Sequence, residues 1–265
     1  MSGPDLGVLA AHLEAETDAL LAALDAAPEM AWTRPTPAAG WTVADQIGHL
    51  AYFDEAATAS IQGPDAFAPY LEEAVELGAS LCDVIAERLR DRPPAELRAW
   101  WSAARATMVS AMRAAGSSAR VPWYGPSFSV ASAMTGRIME TWAHGRDVYD
   151  ALGATPVVTP ALYDVARLCA RTRANSYAAH GRTPPAVEVA VVLTAPDGSR
   201  WRFGDDAPEE IRGDAVQFCL VATQRRHPAD TDLVATGPAA AEWLGIAQAF
   251  AGPPGPGRAQ AGTPS

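Results

Sequence analysis

Apolar residues recur at helical spacing along the first 155 residues of this chain, and no convincing run of alternating apolar and polar residues interrupts them. Between Asp5 and Ala27, six leucines fall close to the helical period, with acidic residues between them. Capping and turn residues then predict four further helices. They are expected at 42–61, 69–90, 94–116 and 130–152. A chain that is helical over this length is expected to fold as a bundle.

The pattern changes after Pro156. One more helix is expected at 160–179, followed by a β-rich run at 187–193, an Asp-Gly turn and an alternating run at 200–203, which together predict a hairpin. Two shorter helices are expected at 214–226 and 239–251. The predicted fold class is therefore α+β. The expected division is a helical bundle at 1–155, a smaller α+β domain at 156–252 and a flexible tail rich in Pro and Gly at 253–265.

Composition excludes several classes of partner. The formal net charge is −11, from 20 basic and 31 acidic residues, and every basic residue is Arg. Without a basic run, neither a nucleic acid nor an anionic membrane surface is an expected partner. The three cysteines are too few and too widely spaced for a disulfide framework or a CxxC motif, and no segment approaches the roughly 20 apolar residues of a membrane span. We expect a cytoplasmic protein.

Two of the five histidines occur where metal chemistry is conceivable. Glu140 and His144 are four residues apart in a predicted helix, so both side chains project from one face and could bind a divalent metal together. The same spacing also arises in exposed hydrogen-bonded pairs. His49 lies within another predicted helix among apolar residues, where an imidazole needs a partner. If that partner is the face bearing Glu140 and His144, the three side chains would form a His₂Glu site with a free coordination position.

These segments also resemble a known family. The stretch from Trp41 to Leu50, WTVADQIGHL, and the later stretch ETWAHGRD from Glu140 to Asp147 resemble the DinB-like metalloenzyme superfamily, and within it the mycothiol-dependent maleylpyruvate isomerase group. The resemblance implies an N-terminal four-helix bundle that binds a divalent metal, usually zinc, through the residues matching His49, Glu140 and His144. It also implies a small C-terminal α/β domain, similar to sterol-carrier folds, from about residue 187 onwards.

The resemblance implies a reaction as well as a fold. Mycothiol would be a cosubstrate, and its thiolate would add to an unsaturated or electrophilic small molecule, giving isomerisation or thiol transfer. None of the chain's own cysteines, Cys82, Cys169 and Cys219, is placed to supply the sulfur, because each occurs in an apolar helical pattern. The family uses an arginine from the C-terminal domain, and Arg225 and Arg226 are the candidates for binding a carboxylate substrate or the thiol.

Several alternatives stay open at the level of sequence. Asp45 could orient His49 or complete a capping box with Thr42. The loop with Trp123 and Tyr124 could cover a metal or simply close the bundle. The protein could instead be a metal-dependent hydrolase, lyase or cyclase of a biosynthetic pathway that uses no thiol. It could also be a protein that binds a lipid or another hydrophobic ligand and has a vestigial metal site. The substrate and the oligomeric state are not predicted.

Overall fold

The computed structural model describes residues 5–255 and 257–262. The α-helices are α1 Leu6–Ala26, α2 Val43–Gln62, α3 Pro64–Leu77, α4 Leu81–Leu89, α5 Pro94–Ala115, α6 Val130–Leu152, α7 Ala161–Arg171, α8 Arg173–Ala179, α9 Ala215–Ala222 and α10 Pro238–Gly245. The strands are β1 Arg120–Val121, β2 Phe128–Ser129, β3 Val189–Thr194, β4 Arg200–Phe203, β5 Glu209–Asp214 and β6 Val234–Thr236.

The chain forms two compact units that divide between Ala161 and Leu162. In the first unit, α2 packs against α4, α5 and α6, and α1 packs against α6. The four long helices α1, α2, α5 and α6 therefore form the predicted bundle. The α+β fold class is confirmed, with a helical N-terminal unit and a sheet in the second unit.

Local sequence explains where the bundle helices begin and end. The Thr42 hydroxyl accepts the backbone N–H of Asp45, and the Asp45 carboxylate accepts the N–H of Thr42, so α2 begins with the predicted capping box. Ser129 caps the N-terminus of α6. Gly153 ends α6 in the left-handed region, at φ 66°. These boundaries fix the two helices that carry the candidate metal ligands.

The prediction of a single helix at 69–90 was wrong. The segment forms α3 and α4, with a short 3₁₀ turn at Gly78–Ser80 between them. Gly78 has φ 53°, a conformation that ends a helix readily at glycine. Pro69 lies inside α3, in its second turn, so the helix starts before the proline rather than at it.

The second unit contains a four-stranded sheet of order β4-β3-β5-β6. The hairpin between β3 and β4 is confirmed, with antiparallel pairing from Val191–Phe203 to Thr194–Arg200. Strands β5 and β6 were not predicted, and β5 pairs parallel to β3. The helix expected at 160–179 is divided at Thr172, and those expected at 214–226 and 239–251 are shorter, ending at Ala222 and Gly245.

The tail expected at 253–265 lies partly outside the described residues. Within the described part, the Ala261 N–H donates to a carboxylate oxygen of Asp230 at 2.8 Å. Among the residues that the structure describes, no helix is long and apolar enough to cross a membrane.

Candidate metal centre

Two bundle helices bring the three predicted ligands together. His49 lies in the second turn of α2, and Glu140 and His144 lie one turn apart on α6. One carboxylate oxygen of Glu140 is 3.2 Å from Nε2 of His144 and 3.9 Å from Nε2 of His49. The two imidazole rings are 4.4 Å apart between centroids. Residues separated by about 90 positions in sequence therefore converge because α2 packs on α6.

The donor set fits a zinc-type ion. One ligand atom from each residue lies within 4.8 Å of the others. Ligands placed about 2.1 Å from a tetrahedral zinc ion are roughly 3.4 Å apart, so a small contraction would suffice. Both histidines are largely buried, whereas the Glu140 side chain keeps 24% of its surface exposed. Three protein ligands and one accessible side are typical of a catalytic rather than a structural zinc site.

Burial sets the protonation of the donors. Burial, followed by the neighbouring His144 ring, lowers the pKa of His49 from 6.5 to about 4, so this imidazole is neutral at pH 7. Burial alone would raise the pKa of Glu140, but hydrogen bonds with His144 and His49 hold it well below its ordinary value. A neutral imidazole and an ionised carboxylate are the forms that bind metals.

Aromatic rings surround the imidazoles. Trp41 lies 5.3 Å from the His49 ring and is stacked on the His144 ring at 6.1 Å. The Phe53 ring lies 4.6 Å from the His49 ring. Tyr124, from the loop that joins α5 to α6, contacts Phe53 at 5.8 Å. That loop therefore packs into the aromatic cluster next to the candidate site.

A buried ionic network that the sequence did not reveal lies close to the ligands. Asp54, on α2, accepts hydrogen bonds from Nε of Arg105 at 2.7 Å and from Nε of Arg137 at 2.9 Å, and all three side chains are buried. Arg105 also donates to the hydroxyls of Thr17 and Thr141. Because Arg137 lies one turn before Glu140, the network ties α1, α2, α5 and α6 together beside the site.

Gln46 is another residue that sequence reasoning missed. Its Oε1 lies 2.5 Å from Nδ1 of His144. The one sequence feature that placed it near the site was its position one helical turn before His49. Asp45, by contrast, completes the capping box and forms an ion pair with Arg90 at 3.1 Å, rather than orienting His49. Among the described residues, Nδ1 of His49 has no hydrogen-bond partner.

The arginines expected to bind substrate lie in the second unit, directly after α9. Arg225 is partly buried, and its Nη1 donates to the carbonyl of Thr223 at 2.8 Å. Arg226 is exposed. Their binding role stays a prediction.

All three cysteines are free thiols. Cys169 and Cys219 are buried and Cys82 is partly buried. Burial, followed by the carboxylates of Glu140 and Asp83, raises the pKa of Cys82 to about 11. Its thiol is therefore protonated at neutral pH and is a weak nucleophile.

Two kinds of relative share the length of this chain. Proteins of Mycobacterium tuberculosis strains CDC 1551/Oshkosh and H37Rv, both described as uncharacterized, are 42% identical over 255 residues, covering 96% of this chain and 99% of theirs. Crystal structures of the mycothiol-dependent maleylpyruvate isomerase and of its histidine-to-alanine mutant superpose with a TM-score of 0.61 at 16% identity, covering 89% of this chain and 96% of theirs. The structural likeness shows the fold.

The family assignment rests on the sequence. The profile described as "Mycothiol maleylpyruvate isomerase N-terminal domain" matches residues 13–149, which is just over half of the chain and includes His49, Glu140 and His144. The chain therefore belongs to the mycothiol-dependent maleylpyruvate isomerase-like family of enzymes, within the DinB-like superfamily.

Proposed function

We propose that this protein is a divalent-metal-dependent enzyme that uses a low-molecular-weight thiol, with mycothiol the first candidate, to isomerise or to thiolate a small electrophilic or unsaturated molecule. The observation that carries the proposal is the convergence of two buried imidazoles and one partly exposed carboxylate at a single point between α2 and α6. Zinc is the preferred metal, because nitrogen and carboxylate ligands in this number suit it.

The charge of the donor set supports thiol chemistry. When bound to two neutral imidazoles and one carboxylate, a divalent cation keeps a net positive charge and favours the thiolate form of a cosubstrate. His49, Glu140 and His144 would hold the ion, and the rings of Trp41 and Phe53 shield the imidazoles from water. With Cys82 protonated, the sulfur must come from outside the chain. A cosubstrate thiol requires a reducing compartment, so the proposal includes a cytoplasmic location.

The second unit would contribute to binding. In this proposal Arg225 or Arg226 binds a carboxylate of the substrate or of the thiol, since a guanidinium forms paired hydrogen bonds with a carboxylate.

Metal analysis and turnover assays test the proposal together. The purified full chain is expected to contain one zinc per molecule and to turn over an electrophile such as maleylpyruvate only when a thiol is present. Isomerisation would return the thiol after each turnover, whereas thiol transfer would consume it. His49→Ala combined with His144→Ala should abolish both properties, because a lone carboxylate cannot retain the ion. His180→Ala is the matched control, since this histidine lies on α8's C-terminal end and bonds the carbonyl of Ser176.

Two results would contradict it. A wild-type protein without stoichiometric metal, or a double variant that keeps its metal, removes the metal centre from the proposal. Turnover that proceeds equally well without any thiol contradicts the thiol step alone and favours the use of the metal as a Lewis acid.

A further inference from the structure

Gln46 is a fully buried amide that hydrogen-bonds two side chains of the first unit, Thr36 and His144. Its exposed fraction is 0%. It lies on α2 three residues before His49, so both side chains project from the same side of the helix. Its amide, however, bonds to His144 of the facing helix. One helix thus supplies a candidate ligand and, one turn earlier, a contact to another ligand.

Thr36, Gln46 and His144 form a series of hydrogen bonds, and the backbone carbonyls next to Thr36 determine the direction of each bond in it. The hydroxyl of Thr36 lies 2.9 Å from the carbonyl of Trp41 and 3.5 Å from that of Ala38, and carbonyls only accept, so the hydroxyl donates. Its lone pairs then accept from Nε2 of Gln46 at 3.0 Å. The amide oxygen of Gln46 must therefore face Nδ1 of His144. Because that oxygen only accepts, Nδ1 of His144 donates to it, and Nε2, which lies 3.2 Å from Glu140, is the ring nitrogen left to bind the metal.

The loop that bears Thr36 and Trp41 is itself fixed to the start of α2. Pro35 and Thr42 form a β-bridge, and the Val43 N–H donates to the carbonyl of Arg34 at 3.1 Å. The Trp41 ring is stacked on the His144 ring with an interplanar angle of 19°. The loop therefore restrains His144 both through the amide and through its own aromatic ring.

We propose that Gln46 is a positioning residue, which holds His144 as the Nδ1–H tautomer and directs the lone pair of Nε2 toward the metal. This inference rests on the metal centre of the proposed function. Fixing the tautomer before the ion arrives raises metal affinity, because a ring that must also rotate and exchange its proton binds more weakly. An amide does this without adding a second negative charge, so the site keeps the net positive charge that favours a thiolate.

The test measures zinc affinity of the full chain by competition with a chromophoric chelator, using zinc alone. Gln46→Leu removes the acceptor at similar volume and should weaken zinc binding by about tenfold or more. Gln46→Glu restores an acceptor and should recover affinity to at least the wild-type level. Ser60→Ala is the matched control: it removes the hydrogen bond that another buried side chain of the same helix donates to the carbonyl of Pro122, and it should not change affinity.

A spectroscopic signature separates positioning from general loosening of the fold. In the zinc-loaded wild type, the Nδ1–H proton of His144 should give a slowly exchanging imidazole signal in proton–nitrogen NMR spectra. The signal should persist in Gln46→Glu and Ser60→Ala and disappear in Gln46→Leu. If Gln46→Leu does not fold, Thr36→Val tests the same series of hydrogen bonds from the Thr36 end. It removes the acceptor for the Gln46 amide N–H, so the amide can rotate, and a several-fold loss of zinc affinity is expected.

The outcomes separate this inference from the proposed function. If the wild type binds no zinc, the metal centre itself is wrong. If the wild type binds zinc but Gln46→Leu, or Thr36→Val in its place, binds it as tightly as Ser60→Ala, the metal centre stands and the positioning role is overturned. An Nδ1–H signal that is unchanged in the leucine variant overturns it as well.

Discussion

At the scale of single residues, the stability of the bundle depends on the charge of Asp54. Its carboxylate lies between two buried guanidinium groups, with Nε–oxygen distances of 2.7 and 2.9 Å. A buried ion pair adds little compared with an apolar pair, but removing one partner leaves an uncompensated charge in a low-dielectric interior. We therefore expect Asp54→Ala to lower the free energy of unfolding by about 3–5 kcal/mol, measured by urea denaturation.

An exposed pair provides the comparison. Arg98 and Asp25 form a bidentate ion pair at the surface, with distances of 2.7 and 2.6 Å. Asp25→Ala breaks an equally well-formed contact, yet its partner stays in water, so the urea midpoint should remain near that of the wild type. Similar midpoints for the two variants would mean that the buried network contributes no more than a surface contact.

At the scale of elements, the close packing of α2 against α4 depends on Gly48. A Cβ at this position would lie 3.1 Å from Cδ1 of Leu89, whereas one at Gly136, on α6, would meet no heavy atom within 4 Å. Replacing a helical glycine by alanine gains about 1 kcal/mol of helix propensity at either site. Gly136→Ala should therefore raise the free energy of unfolding by about this amount. Gly48→Ala should raise it less, or lower it, because the Leu89 side chain must move to make room for the new methyl group.

Thermal and urea denaturation of the two variants check this directly. Equal gains at both positions would show that Leu89 adjusts freely and that the approach of α2 to α4 does not require glycine. Neither substitution changes a polar contact of the site, so the comparison isolates packing from helix propensity.

The elements that sequence patterns predicted well are those with local signals. The capping box at Thr42 and the glycine after Leu152 gave the limits of α2 and α6, and the spacing of Glu140 and His144 gave a shared helix face. Strand β5 lacks such a signal, because its sequence EEIRGD reads as a polar loop. Its Glu209 is buried, and its carboxylate accepts the Ala240 N–H of α10 at 2.8 Å, a contact that depends on the tertiary fold.

The site divides in the same way. The sequence predicted that His49 needs a polar partner, because its imidazole lies among apolar residues. Which residues those partners are depended on the packing of α2 against α6. The sequence places Gln46 one turn before His49, but the contact of its amide oxygen with His144 could not be predicted, because the direction of the amide is set by Thr36 in a loop ten residues earlier. Local sequence thus identifies the candidate ligands, whereas tertiary contacts determine which atom of each ligand faces the metal position.

At the scale of the whole molecule, every residue implicated in metal binding belongs to the first unit. His49, Glu140, His144, Gln46 and Thr36 all precede Ala161, where the chain divides. The same unit has its own apolar clusters: one is centred on Ile47, Leu50 and Trp101, and another on Phe53, Phe67 and Ile85. A unit with its own core is expected to fold without the rest of the chain.

A fragment of residues 1–161 is therefore expected to fold cooperatively and to bind one zinc with an affinity close to that of the full chain. It should nevertheless turn over substrate poorly, because Arg225 and Arg226 are absent and the carboxylate of the substrate or of the thiol would have lost its charged partner. Circular dichroism, chelator competition and the thiol assay measure these three properties on one sample. A folded fragment that binds no zinc would show that the second unit completes the metal centre. A fragment with full activity would remove both arginines from the reaction, since a catalytic contact cannot be dispensable.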